Sequence, residues 1–256
     1  MNSATTAAPI LILKTGDVPP GLEPDAGDFE DWVRQGLSLA GARTVVLDPR
    51  KDPGWPDLRD IAGVVVTGSP AMVTDREPWS ERSAAWLRDV IKAEVPVLGI
   101  CYGHQLLADA LGGEVTEQPD GPEVGTIRIA LNPAAESDPL LMGMPLEFDA
   151  QLSHRQTVSR LPADAVSLAS SEAEPNQAVR FAPQAWGLQF HPEFSPRATL
   201  LFVDRQAPYL ARHGKDAEPI RAAVAETPAA ARVLPRFAAL ALAAYKTRPQ
   251  ATRSAA

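Results

Sequence analysis

Short apolar runs along the chain alternate with longer segments in which apolar residues recur at helical spacing. Runs rich in β-branched residues predict buried strands of a parallel sheet at 9–13, 44–47, 61–66 and 95–100. Helical spacing predicts helices over 28–40 and 78–93, and a further helical pattern begins at Tyr102. Strands that alternate with helices in this order are typical of a doubly wound α/β fold.

The middle of the chain has a different pattern, in which proline, asparagine and glycine separate short strand candidates. These candidates lie at 125–131, 146–148, 165–169, 177–181 and 185–190. They predict antiparallel strands added to the parallel sheet. A helix is predicted over 197–213. We therefore expect an α/β domain over 1–215 whose central sheet is mostly parallel.

The last part of the chain, 216–256, is alanine-rich and predicts a helical extension interrupted by Pro228 and Pro235, with a frayed tail over 246–256. One helical face is apolar and carries Phe237, Leu240, Ala241, Ala244 and Tyr245. Such a face either caps the core of the same domain or binds a partner protein. The sequence leaves both interpretations open.

Composition narrows the classes of function. The 256 residues are 45% hydrophobic, which is enough for a large core, and the formal net charge is -8. This charge argues against a nucleic-acid or membrane partner, because both favour clustered Lys and Arg. The single cysteine excludes an intrachain disulfide and a cysteine-based zinc site. The N-terminal apolar run 9–13 is too short for a signal sequence or a membrane span, so we expect a cytoplasmic protein.

The strongest chemical signal lies at the end of the fourth predicted strand. The sequence there reads Gly99-Ile100-Cys101-Tyr102-Gly103, a G-x-nucleophile-x-G elbow with cysteine as the nucleophile. The glycines suit a tight strand-to-helix turn in which neighbouring Cβ atoms would collide. The turn places the sulfur at a helix N-terminus, whose partial positive charge favours the thiolate. A small buried cysteine packed under a helix is the structural alternative.

A base and an orienting carboxylate for this thiolate lie at the end of another predicted strand. That strand ends in His191, and Glu193 follows two positions later, close enough to hydrogen-bond the imidazole and fix its tautomer. Pro192 stiffens the connection between them. Taken alone, His191 fits a purely structural histidine, but together with the elbow it predicts a catalytic base.

A third segment, Val66-Thr67-Gly68-Ser69, leads from a predicted strand into a loop at the carboxyl edge of the sheet. A backbone N–H of Gly68 or Ser69, together with that of Tyr102, can form an oxyanion hole. By itself the segment is also compatible with an ordinary turn after a strand.

These three motifs, in this order and at these separations, resemble those of the class I (triad) glutamine amidotransferases, most of all the glutaminase module of GMP synthase and its stand-alone relatives. The resemblance covers roughly 9–213. It implies a three-layer, flavodoxin-like glutaminase fold and a Cys101–His191–Glu193 triad that forms a thioester with a glutamine γ-amide. It also implies oxyanion donors at Gly68 and Tyr102. The substrate-binding residues that it implies are Ser69, Gln105, Ser153 and His154, with a solvent-facing or supporting role as the alternative for His154.

Two departures from the motifs of synthase-linked amidotransferases leave the identity of the substrate open. Thr67-Gly68-Ser69 stands where synthase-linked members usually have Gly-Gly-Pro, and 71–79 resembles a longer loop of stand-alone members, including γ-glutamyl peptide hydrolases. These 256 residues contain neither a Ser-Gly-Gly-x-Asp-Ser pyrophosphatase loop nor a P-loop, so we expect no adenylation of an acceptor by this chain.

We therefore expect an enzyme without a cofactor or metal that takes glutamine or a γ-glutamyl compound as its small-molecule substrate. It either passes ammonia to a separate synthase subunit or hydrolyses γ-glutamyl peptides. A non-catalytic flavodoxin-like binding protein is the third interpretation. The presence of all three triad residues speaks against it.

Overall fold

The computed structural model describes residues 8–20, 27–38 and 40–248. Residue 39 of the predicted helix 28–40 and residues 249–256 of the predicted tail lie outside the described residues. The described strands are β1 (Ile10–Leu13), β2 (Thr44–Leu47), β3 (Gly63–Val66), β4 (Val97–Ile100), β5 (Glu114–Glu117), β6 (Glu123–Leu131), β7 (Glu147–His154), β8 (Gln156–Arg160), β9 (Val166–Ser170), β10 (Ala178–Ala182) and β11 (Ala185–Leu188). The described α-helices are α1 (Phe29–Ser38), α2 (Pro78–Lys92), α3 (Tyr102–Ala110), α4 (Pro196–Arg212), α5 (Ala217–Ala222), α6 (Pro228–Ala231) and α7 (Val233–Thr247).

A nine-stranded sheet runs through these residues in the order β2-β1-β3-β4-β11-β10-β9-β6-β7. The first five strands of this order are parallel, and the remaining pairings are antiparallel. The prediction of a mostly parallel α/β sheet with added antiparallel strands and a helical C-terminal part is therefore confirmed. The parallel strands need β-branched residues because both of their faces are covered by helices.

Alternating residues of the parallel strands fill two separate cores. Ile10 and Ile12 of β1 face a core shared with α1 and α7, whereas Leu11 and Leu13 face a core shared with α2 and α3. Neighbouring side chains of a strand point to opposite faces of the sheet, so one short apolar strand packs against the helices on both faces. The carboxyl ends of β3 and β4 thereby meet at one edge of the sheet.

The antiparallel region differs in detail from the prediction. The strand β7 extends to His154, well beyond the predicted 146–148, and pairs along its whole length with β6. The strands β5 and β8, which the sequence pattern did not predict, form a separate two-stranded sheet. The strand β11 ends at Leu188, not at His191, which instead forms an isolated bridge with Gln151 of β7. These differences arise because strand pairing depends on partners distant in sequence.

The apolar face of α7 packs into the same core as α1 and β3. Phe237 and Ala241 have no exposed surface, and the Phe237 ring meets the edge of Trp186 at a centroid distance of 6.5 Å. A Cβ atom on Gly63 of β3 would lie 2.9 Å from the Ala241 Cβ, so glycine permits this close approach. This apolar face therefore caps the core of the chain itself.

We expect Phe237→Ala to destabilise the whole protein, because it leaves a cavity in the shared core. The expected loss in free energy of unfolding is about 3–5 kcal/mol, measured by urea denaturation. Lys246→Ala in the exposed part of the same helix is the matched control. Equal losses in both variants would contradict a core role for α7.

Candidate active site

Cys101 occupies the turn between β4 and α3 in a conformation that residues with a side chain rarely adopt. Its φ is 49° and its ψ is -98°. The turn is fixed on both sides: the Cys101 N–H donates to the Leu188 carbonyl at 2.7 Å, and the Cys101 carbonyl accepts from the Gln105 N–H at 3.1 Å. The sulfur lies 3.7 Å from the Ser153 carbonyl oxygen. The sulfur thus sits at the N-terminus of α3.

The two glycines of the motif allow β4, α3 and β3 to meet at this turn. A Cβ atom on Gly99 would lie 2.4 Å from the carbonyl carbon of Gly103, and a Cβ atom on Gly103 would lie 2.6 Å from the Val66 carbonyl oxygen. Both distances are far below a van der Waals contact, and both involve backbone atoms that cannot move aside. The elbow therefore requires glycine at both positions.

His191 and Glu193 form a buried pair. The His191 Nδ1 is 2.7 Å from a carboxylate oxygen of Glu193, whose side chain is fully buried. The imidazole stacks on Phe194 at a centroid distance of 3.8 Å, and the His191 N–H donates to the Gln151 carbonyl at 2.8 Å. Cys101 lies close enough to His191 for its charge to raise the pKa of the imidazole. The structure thus brings the three residues of the predicted triad together.

The charges around His191 favour its protonated form. Burial lowers the pKa of His191, but the negative charges of Glu193 and Cys101 and hydrogen bonds to both residues raise the pKa to about 10. The imidazole therefore holds a proton at neutral pH beside the sulfur. A proton held there can be given to a leaving group on a carbon atom that the sulfur attacks.

The two predicted oxyanion donors lie next to the triad: Tyr102 follows Cys101 directly, and Gly68 is close to His191. Tyr102 is the first residue of α3, so its N–H has no acceptor within the helix. The Gly68 backbone lies against the imidazole, because a Cβ atom there would be 2.9 Å from the His191 Cε1. Thr15 orients this loop by donating from its hydroxyl to the Gly68 carbonyl at 3.1 Å.

A cavity of about 260 Å³ opens beside the sulfur of Cys101. All four predicted substrate-binding residues line it: Ser69, Gln105, Ser153 and His154. Ala71 and Met72 of the loop 71–79, which the sequence singled out, and Pro19 of the segment 17–29 also line it. Further lining residues, which the sequence patterns did not indicate, are Pro70, Arg155, Gln156, Phe202, Arg205, Gln206 and Tyr209. Four of these belong to α4, so one face of this helix lines the cavity. Helical spacing marked α4 as a helix, but only its packing shows which face meets the cavity.

Ser69 and Gln105 are held in place by the protein. The Ser69 hydroxyl donates to the Thr15 carbonyl at 2.9 Å and accepts from the Ala71 N–H at 3.1 Å. The Gln105 amide nitrogen donates to the Gln156 carbonyl at 2.9 Å and to the Gln189 side-chain oxygen at 3.0 Å. These bonds fix the rotamers of both side chains, as a preorganised binding site requires.

His154 is a buried cation in the cavity wall. Its Nδ1 lies 2.9 Å from the Gln156 carbonyl oxygen, and its Nε2 lies 2.9 Å from a carboxylate oxygen of Glu123. Glu123 also accepts hydrogen bonds from Ser171 at 2.7 Å and Gln177 at 2.8 Å, as an ionised carboxylate does. Both ring nitrogens of His154 therefore donate. Burial lowers the pKa of His154, but the hydrogen bond and charge of Glu123 outweigh burial and raise the pKa above its usual value.

Within residues 8–20, 27–38 and 40–248, no group of three or more His, Cys, Asp or Glu side chains is arranged to bind a metal ion. No helix in the described part of the chain is both long and apolar enough to cross a membrane.

Comparison with known proteins decides the family. The model of the family "Glutamine amidotransferase class-I" matches residues 24–203. The chain belongs to the class-I glutamine amidotransferases. It is therefore an enzyme of the glutamine amidotransferase type, and the predicted family is confirmed.

Relatives and solved structures agree with this assignment. The GMP synthase of Aeropyrum pernix is 39% identical over 70% of this chain and 34% of that protein, and a GMP synthase subunit of Methanopyrus kandleri is 30% identical over 65% of this chain and 84% of that subunit. The amidotransferase thus spans about a third of the Aeropyrum protein's length. A glutamine amidotransferase of Thermotoga maritima shares the fold, with a TM-score of 0.71 and 21% identity over 92% of this chain and 98% of that chain. A glutamine amidotransferase of Methylobacillus flagellatus gives a TM-score of 0.65 and 28% identity over 94% of each chain.

We expect Glu123→Gln to destabilise this amidotransferase by about 3–5 kcal/mol, because it leaves the buried His154 without its counter-charge. The pKa of His154 is raised in the folded state. The pair therefore stabilises the fold below the unfolded value of about 6.5, and this contribution is lost as pH rises through the folded value. The difference in unfolding free energy between wild type and variant should be larger at about pH 5.5 than at about pH 9.

The control for this measurement is Ser171→Ala, which removes the hydrogen bond to the Glu123 carboxylate and the two bonds that the Ser171 hydroxyl accepts from the Glu174 N–H and the Gln177 amide, but leaves the carboxylate charge in place. Its loss in unfolding free energy should therefore be similar at both pH values. An imidazole resonance of His154 that titrates identically in wild type and Glu123→Gln would contradict the ion pair.

Proposed function

We propose that this amidotransferase hydrolyses the γ-amide of glutamine through a thioester on Cys101 and gives glutamate and ammonia. The observation that carries this proposal is the contact of the Cys101 elbow with the buried His191–Glu193 pair, at the wall of a cavity large enough for a small substrate. Membership of the class-I family supports it.

In the proposed reaction the Cys101 thiolate attacks the γ-carbonyl carbon, and the carbonyl oxygen becomes an oxyanion. The N–H groups of Gly68 and Tyr102 stabilise that charge. His191 gives its proton to the amide nitrogen, the C–N bond breaks, and ammonia leaves a thioester behind. A water molecule then attacks the thioester carbon and gives a proton to His191. The C–S bond breaks, glutamate leaves the site, and the thiolate–imidazolium pair of the enzyme is restored.

The role of Glu193 in this proposal is to orient His191 and to stabilise its positive charge. Its carboxylate hydrogen-bonds the Nδ1, so the Nε2 faces the reaction. Ser69, Gln105, Ser153 and His154 are proposed to bind the γ-glutamyl part, because all four line the cavity.

The acceptor of the ammonia is proposed to be a separate synthase subunit. The relative from Methanopyrus kandleri is itself one subunit of a GMP synthase, and this chain covers 84% of its length. We also propose that 1–215 form the amidotransferase domain and that the helices of 216–256 extend it, because α7 packs into the same core.

A γ-glutamyl peptide hydrolase is the second candidate. A smaller cavity of about 100 Å³ shares Met72, Arg155 and Tyr209 with the main cavity. The two spaces adjoin at these three residues, so the smaller one offers room for a larger leaving group. A tenfold higher kcat/KM for a γ-glutamyl dipeptide than for glutamine, about 1.4 kcal/mol in transition-state free energy, would favour this candidate.

We expect Cys101→Ala to lose ammonia release from glutamine by about 10⁴-fold or more while circular dichroism stays unchanged, because the nucleophile is removed and the fold is not. A glutamine analogue with an electrophile at the carboxamide carbon should label wild type at Cys101, the single cysteine, and leave the variant unlabelled. His191→Ala should lose nearly as much, and the double variant no more than either single one. Turnover in Cys101→Ala comparable to wild type would refute the proposed nucleophile.

We expect Glu193→Gln to shift the pH dependence of kcat/KM as well as its size. The charge of Glu193 helps to raise the pKa of His191 to about 10, so its loss lowers that pKa. The basic limb of the kcat/KM profile, which reports the proton held by the free enzyme, should therefore move to lower pH. Glu218→Gln at an exposed position is the control. An unmoved basic limb in Glu193→Gln would show that this carboxylate does not set the pKa.

A further inference from the structure

The main cavity has a basic lining. Its charged side chains are His154, Arg155 and Arg205, and none of the described residues that line it is acidic. The charge of His154 is balanced by Glu123. Within the described part of the chain, Arg155 forms no ion pair. Its guanidinium therefore brings uncompensated positive charge to the cavity.

Arg155 is held in a defined position. It lies between the last residue of β7 and the first residue of β8, and its carbonyl accepts from the Gln118 N–H at 2.7 Å. Its guanidinium carbon lies 4.6 Å from the centroid of the Tyr209 ring, and the residue is half-buried. A guanidinium has five N–H donors, so a contact with the face of an aromatic ring leaves donors available for a ligand.

We propose that Arg155 is a specificity-determining residue that binds a carboxylate of the γ-glutamyl substrate; this inference rests on the proposed function. The planar fork of an arginine matches the two oxygens of a carboxylate. Every γ-glutamyl compound carries an α-carboxylate, and a γ-glutamyl peptide carries a further one in its leaving group. Arg205 is a weaker candidate, because it is exposed and donates to the Pro20 carbonyl at 3.2 Å.

Four substrates separate the two sources of carboxylate. Glutamine is compared with 4-aminobutanamide, which is glutamine without its α-carboxylate, through release of ammonia. γ-Glutamylglycine is compared with γ-glutamyl ethylamide, whose leaving group has no carboxylate, through release of glutamate. The variants are Arg155→Gln, Arg155→Lys and Arg212→Gln. Arg212 is the matched control, since its guanidinium carbon lies 5.1 Å from the same Tyr209 ring but the residue does not line the cavity.

If Arg155 binds the α-carboxylate, Arg155→Gln should raise KM about tenfold or more for the three γ-glutamyl substrates, with a smaller change in kcat and no effect on 4-aminobutanamide. If it binds the leaving-group carboxylate, only γ-glutamylglycine should be affected. Arg155→Lys keeps the charge without the fork, so it should restore part of the loss. Arg212→Gln should match wild type on all four substrates.

An equal effect of Arg155→Gln on all four substrates, no effect on any, or a loss confined to kcat would overturn the inference, because none of these depends on a carboxylate. If the wild-type enzyme cleaves these substrates, such results contradict only the role of Arg155 and not the proposed function. Wild-type enzyme that cleaves none of the four compounds would instead overturn the proposed function, and the inference with it.

Discussion

The close approach of three backbones at the end of β4 is the constraint on which the site depends. Gly99, Gly103 and the carbonyl of Val66 leave no room for a Cβ atom between them. The chain reaches the first turn of α3 only by passing through the unusual backbone conformation of Cys101, with its φ of 49°. Packing against β3 and β11 on both sides holds that strained conformation. The sulfur is therefore positioned by the rigid part of the fold.

The antiparallel half of the sheet supplies the other side of the site. His191 leaves the end of β11 and bridges to Gln151 of β7, so the histidine is tied to both halves of the sheet. Ser153 and His154, which lie two and three residues after Gln151 on β7, line the cavity. Each of the two histidines is buried and keeps its proton through a buried carboxylate. Burial alone would have neutralised both, so the site depends on the paired acids for its positive charge.

Local sequence patterns predicted the parts of this structure that local chemistry determines. The runs of β-branched residues gave the parallel strands, and the spacing Gly99–Cys101–Gly103 gave the elbow, because both reflect constraints within a few residues. The length of β7, the strands β5 and β8 and the early end of β11 were not predictable in this way, since each is set by a pairing partner far along the chain. The cavity-lining face of α4 and the place of Arg155 likewise follow from packing between elements. The resemblance of motifs supplied Gln105 and His154, which no periodicity marks.

The charge of the cavity is opposite in sign to the charge of the chain. The formal net charge is -8, which at the level of composition speaks against anionic partners. Net charge, however, averages over a surface, whereas a ligand in a cleft experiences the few groups that line it, with less screening by water. Here those groups are two arginines and a histidine whose counter-charge, Glu123, lies behind the wall. An acidic enzyme can thus present a locally basic cavity to a small anion, even though its net charge is negative.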